Sequence, residues 1–158
     1  MNFLDAISID TEHDFNYSAV FIELLKSESI KYSDFHTSLE NYKEELSLKV
    51  GVYHFFSVSD ESVLSLYIGK AGYGKNNKWN IYERLKQHQQ ASQADTIHGA
   101  IAKELGADNK DVIKLLCESE IYIQYIDMSK DESSDIENLI KKMERYCIQR
   151  LNPRYTDK

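Results

Sequence analysis

The sequence predicts an α+β fold: a three-stranded antiparallel sheet flanked by helices in the order β-β-α-α-β-α, preceded by a helical segment. Three observations carry that expectation. Residues 50–70 contain two runs rich in β-branched and aromatic residues, "VGVYHFFSV" and "VLSLYIGK", separated by the acidic turn "SDES", and together they read as an antiparallel hairpin. Further on, "SEIYIQYIDM" alternates apolar and polar residues at the strand period of two. The segments before, between and after these runs place their apolar residues at helical spacing instead.

Taken in order, "YSAVFIELLKS" sets Val20, Phe21, Leu24 and Leu25 on one helical face. "SDFHTSLENYKEELSLK" repeats the pattern as one helix, with Ser33 or Asp34 as its N-cap. The hairpin follows, and the loop "AGYGKNNKW" leads into the amphipathic helix "NIYERLKQHQQAS". "TIHGAIAKELG" is a second helix closed by Gly106, since a residue without Cβ suits the left-handed turn that ends a helix. After the third strand, "SSDIENLIKKMERYCIQRL" reads as a long helix with a serine cap and with Asp135 and Glu137 at the positive end of its dipole. Asn152 and Pro153 stop it.

With 158 residues, 42% of them hydrophobic, and only one proline and six glycines, the chain suits a globular fold with its own core. The expected division is an acidic helical extension over residues 1–49 and the sheet-bearing domain over 50–158. No apolar stretch reaches the roughly 20 residues needed to cross a bilayer. The start, "MNFLDAISIDTEHDF", has neither the basic nor the apolar region of a secretory signal. A cytoplasmic protein without a membrane partner is therefore expected. Cys117 and Cys147 lie far apart without metal-ligand spacing and read as buried, reduced thiols.

The net charge of −7 speaks against a polyanionic partner, because phosphate binding draws on lysine and arginine. Its distribution speaks the other way. Residues 1–49 and 91–136 each hold ten acids and four bases. Residues 70–90 instead hold Lys70, Lys75, Lys78, Arg84 and Lys86 against Glu83 alone, and residues 137–158 hold six bases against three acids. If the fold joins these two islands they form one positive face on an acidic protein. If not, they are two ordinary solvated helix faces.

The first strand carries "GVY" (Gly51, Val52, Tyr53) and the second "YIG" (Tyr67, Ile68, Gly69). Arg84 follows in "IYERLKQH", with His88 one turn further on, and Glu144 in "MERYCIQRLNPRY". This set, in this order, resembles the GIY-YIG endonuclease superfamily over about residues 50–156, with valine in place of isoleucine in the first motif. Glu137 is a rival for the glutamate, two helical turns before Glu144. Pro153, Arg154 and Tyr155 follow Glu144 in the register of members resembling the incision subunit of bacterial nucleotide-excision repair, which favours Glu144. That family's next asparagine is replaced here by Thr156, which donates one hydrogen bond where an amide donates two. The departure bears on cleavage rate rather than on fold.

The resemblance implies an active site around one divalent ion, Mg²⁺ or Mn²⁺, held by Glu144. Arg84 would hold the scissile phosphate with a permanent forked charge. Tyr53 would act as general base, Tyr67 would orient the water or Tyr53, and His88 is a candidate proton shuttle. Gly69, lacking Cβ, would let the strand end and Lys70 approach a phosphate, while Lys75, Lys78 and Arg154 would add DNA contacts. Each residue taken singly has an ordinary structural reading as well: strand tyrosines with surface hydroxyls, a solvated helix arginine, and a glutamate paired with Lys141 or Arg145. The expected function is a stand-alone, metal-dependent DNA endonuclease of restriction or phage type, a homo-oligomer if two sites are to reach both strands. The alternative is a non-cleaving module of the same fold that binds nucleic acid or protein. The acidic residues 1–49 would be a DNA-mimicking or regulatory surface, or a packing layer.

Overall fold

The computed structural model describes residues 15–89, 96–131 and 135–156. Helix α1 (Tyr17–Lys26) is capped by Asn16 and leads to a two-residue strand β1 (Ile30–Lys31). Helices α2 (Tyr32–Thr37) and α3 (Leu39–Leu46) come next, then the hairpin of β2 (Gly51–Val58) and β3 (Val63–Ala71). Helices α4 (Ile81–Gln87), α5 (Ile97–Leu105) and α6 (Asn109–Glu118) separate the hairpin from β4 (Ile121–Asp127), and α7 (Ile136–Leu151) follows.

The fold is α+β, but among the described residues the antiparallel sheet has four strands rather than the expected three, in the order β1-β4-β2-β3. The added strand pairs Ile30 with Ile123 and Lys31 with Tyr122. Two residues are too few to show an alternation, so sequence periodicity does not reveal them. Their extended backbone also moves the following helix start to Tyr32, with Lys31 rather than Ser33 or Asp34 at the cap position. That helix is two helices, broken at Ser38 (φ −129°, ψ 40°). The prediction lacked α6 as well, which is capped by Asp108 and buries only Val112 and Leu116. At α7 the cap is Asp135, whose carboxylate accepts from the Asn138 N–H at 3.2 Å. The expected serine cap, Ser133 or Ser134, lies outside the described residues.

Both faces of the sheet are covered. Tyr53, Phe55, Tyr67 and Ile123 pack with Tyr32, Phe35, Leu46, Leu85, Ile97 and Val112 on one side. Val52, Ile68 and Ile126 pack with Leu24, Ile140, Met143 and Cys147 on the other. A strand buried on two faces has no polar side to show, which is why "GVYHFF" reads as a nearly continuous apolar run. Residues on both sides of position 49 enter each layer. Cys147 is buried, Cys117 is partly buried, and both are free thiols. Among the described residues no helix is long and apolar enough to cross a membrane.

The chain after α7 returns to the sheet. Asn152 ends the helix in a left-handed conformation (φ 48°), and the following backbone runs beside β3. The N–H of Arg154 donates to the Ser65 carbonyl at 3.2 Å and that of Tyr155 to the Leu66 carbonyl at 2.8 Å. The Thr156 hydroxyl accepts from the Ile68 N–H at 2.8 Å and donates to its carbonyl at 3.2 Å.

Candidate active site

A cleft of about 520 Å³ opens beside β3, with Tyr67 and Lys70 of that strand, Arg84 of α4 and Glu144 of α7 in its lining. Arg84 and Glu144, far apart in sequence, thus share one space because α4 and α7 both end up along the same strand. Glu137 is exposed and lines a separate hollow with Lys70, Asp135, Asn138 and Lys141. Of the two glutamates, Glu144 is the one beside Arg84. The two basic islands meet here, Lys70 and Arg84 from the first, and Lys141 and Arg145 from the second acting electrostatically on Glu144.

Arg84 is only 8% exposed. One of its terminal nitrogens, Nη1, donates to Gln87 Oε1, and its Nε has no hydrogen-bond partner among the described residues. A buried donor left unpaired costs about 1–3 kcal/mol, and the same side chain is among those that line the cleft. Burial works against its charge, but the Tyr53, Tyr73 and Tyr67 hydroxyls outweigh that and hold it protonated. Glu144 is partly buried, and burial raises its carboxyl above the usual range, with Lys70 and Arg84 opposing the rise.

Tyr53 and His88 lie beneath the cleft rather than in its lining, both at 0% exposure. Their bond, Tyr53 Oη to His88 Nε2, is 2.7 Å. The direction of that bond follows from the other ring nitrogen. Ile97 opens α5, and a first-turn N–H has no partner within its own helix; here it donates to His88 Nδ1 at 2.9 Å. Nδ1 therefore carries no proton, the neutral ring carries its proton on Nε2, and His88 donates to Tyr53. Burial, with Arg84 next, holds the imidazole neutral well below its ordinary range. A shuttle would have to accept the tyrosine proton on a nitrogen that already holds one. His88 instead favours the phenolate form of Tyr53, while burial pushes that phenol well above the ordinary tyrosine range. Tyr67, stacked on Tyr53 at 6.4 Å and lying edge-on to His88 at 4.7 Å, is the one of the two motif tyrosines that reaches the cleft.

Gly69 has a different use from the one expected. It faces Tyr53 across the β2–β3 ladder, and a Cβ there would stand 2.3 Å from Tyr53 Oη and 2.4 Å from its Cζ. The missing side chain makes room for the tyrosine ring, not for a phosphate. Lys75 and Lys78 are exposed in the loop between β3 and α4, outside the cleft lining. Arg154 is also outside it, paired with Glu104 at 2.7 Å. Thr156 does line the cleft, with its hydroxyl engaged by Ile68.

No family model, curated protein or solved structure matches the chain. Function must accordingly be read from the site itself.

Several cleft residues escaped the sequence. Lys103 lines it from α5, beyond Gly99 and Ala100. Two small residues followed by a lysine at helical spacing i+3 and i+4 were the available sign of a helix face left open. Tyr73 and Tyr155 complete the aromatic lining. The start of α5 is held by three bonds: Ile97 to His88, the Thr96 hydroxyl accepting from the Gly99 N–H at 3.0 Å, and His98 Nε2 to the Tyr32 hydroxyl at 2.6 Å. Burial lowers His98 to about 4, so it stays neutral.

Proposed function

We propose that the chain is a divalent-metal-dependent endonuclease that hydrolyses phosphodiester bonds in DNA. The observation that carries this reading is the convergence of Arg84, Glu144, Tyr67 and Lys70 on one cleft. Among the described residues no group of three or more His, Cys, Asp and Glu side chains could hold a metal. The site fits an ion of another kind, since Mg²⁺ is ordinarily bound by one or two carboxylates with water and substrate oxygens filling its shell. Glu144 is the residue that would hold it. When bound, such an ion supplies positive charge for the phosphate and the leaving oxygen.

The protein's own part is as follows. Arg84 receives a non-bridging phosphate oxygen, and its permanent charge stabilises the charge that grows there. Lys70 and Lys103 hold the strand on either side. Tyr67 meets the attacking water from β3, and Tyr53 stands behind it; Tyr53 would take the water's proton only as the phenolate, its own proton having first been lost to solvent, a form that burial opposes and that Arg84 and the hydrogen bond from His88 favour. Supercoiled plasmid tests the reading. Nicked or linear product is expected with Mg²⁺ or Mn²⁺, none with EDTA, and none from Glu144→Gln although that variant retains DNA. Full cleavage by Glu144→Gln overturns the assignment.

A second reading, a non-cleaving nucleic-acid- or protein-binding module, is favoured by the complete burial of the Tyr53 hydroxyl and by the engagement of Thr156 with Ile68. It expects plasmid retention without product under any metal.

A further inference from the structure

Between β3 and α4 the chain projects a finger, residues 72–80. Gly74, Lys75, Asn76, Asn77 and Lys78 are all exposed at its tip. Its base is closed by the Gly72 N–H donating to the Trp79 carbonyl at 2.7 Å and the Trp79 N–H donating to the Tyr73 carbonyl at 3.1 Å. The Tyr73 and Trp79 rings stack across that base at 6.3 Å. Four of its residues hold positive φ: Gly72 at 112°, Gly74 at 82°, Asn76 at 57° and Asn77 at 52°. Asparagine tolerates the left-handed region better than other residues with a Cβ, and glycine tolerates it better still. The conformation alone therefore does not require side chains at the two asparagine positions.

The tip is also chemically set apart. No acid occurs between Glu61 and Glu83 in a protein of net charge −7. The finger is joined to the cleft through Tyr73, which lines it and has Lys70 Nζ at 5.3 Å and the Arg84 guanidinium at 5.9 Å from its ring centre. Two ammonium groups suit phosphates. Two neighbouring amides, each with donors and an acceptor, suit the paired donor and acceptor that a base edge presents in the major groove, which is wide enough to admit a two-stranded ribbon.

We propose that the finger enters the major groove of duplex DNA, with Lys75 and Lys78 on backbone phosphates and the Asn76 and Asn77 amides on base edges, so that it selects the sequence delivered to the cleft. This rests on the nuclease reading for the cleft but not for the binding. The measurement is made in EDTA, on a random-sequence duplex library whose bound fraction is sequenced, followed by titration of the preferred duplex and a scrambled one. The wild-type chain is expected to prefer its selected duplex by about tenfold or more. Asn76→Gly with Asn77→Gly keeps a backbone that glycine adopts freely. It should reduce the preference to less than about threefold and leave the salt dependence unchanged. Lys75→Ala with Lys78→Ala should do the reverse, keeping the preference while lowering the slope of log K against log salt by up to about 1.8.

An unchanged preference in the double glycine variant overturns the proposal, as does a wild type without preference or with tighter binding to single strands or RNA duplex. Plasmid cleavage separates the two claims. Selective binding without cleavage overturns only the nuclease reading, whereas cleavage with an unaltered preference in the glycine variant overturns only the finger's role.

Discussion

At the scale of single residues, the site is governed by what each side chain is denied. Gly69 denies Tyr53 a neighbour, so Gly69→Ala must displace the ring. Overpacking of this kind costs about 1–3 kcal/mol, and urea titration should show it together with loss of plasmid cleavage. Glu144 is denied part of its water. Its carboxyl sits above the usual range because burial penalises the ionised form, so the folded state favours the protonated acid more than the unfolded state does. Stability from that preference is present below the unfolded value and lost as pH rises through the folded one. Glu144→Gln should therefore melt higher than the wild type at pH 8, with the gap closing as pH falls toward the ordinary carboxylate range. An unchanged gap across that interval would mean that Glu144 bears no burial cost. Tyr67, Arg84 and Glu144, singled out in the sequence by their order along the chain, line one cleft, while Tyr53 lies beneath it. Lys103 is marked in the sequence only by Gly99 and Ala100 one turn before it, a sign too common to single it out, and the role of Gly69 needed the strand register.

At the scale of elements, strands and helices were legible where periodicity ran long enough to be read. The hairpin, β4, α1, α4, α5 and α7 all fall in segments the sequence assigns to their type. β1 was hidden by its two residues, and α6 by a stripe of only two buried side chains. The break at Ser38 is a backbone event within a helical pattern. The element that matters most to the site is α5, whose first N–H determines the tautomer of His88. Thr96→Ala removes the cap on the adjacent residue, with an expected loss of about 1 kcal/mol in urea titration. It should also lower cleavage by more than that loss alone explains, because the Ile97 N–H no longer has a fixed direction. Activity that follows the folded fraction alone would reduce α5 to a packing element.

At the scale of the whole molecule, charge is sorted rather than balanced, and the sorting was legible as two basic islands but not as one cleft. Reversing Lys70 and Lys78 to glutamate should weaken duplex binding and reduce its salt slope by up to about 1.8. Lys26 and Lys43, both exposed and outside the cleft lining, provide the control of equal charge; Lys31 does not, being paired with Glu120 at 3.1 Å. Equal effects from both reversals would show that only total charge counts. The course of the last residues has a consequence of its own. An open strand edge is a template on which a second chain can build. Residues 154–156 already occupy the outer side of β3 at Ser65, Leu66 and Ile68, and the opposite edge is the two-residue β1. The sheet is thereby stopped at both margins, so a pair of these molecules would join through helices and loops, and loss of residues 154–156 would turn a closed margin into an adhesive one.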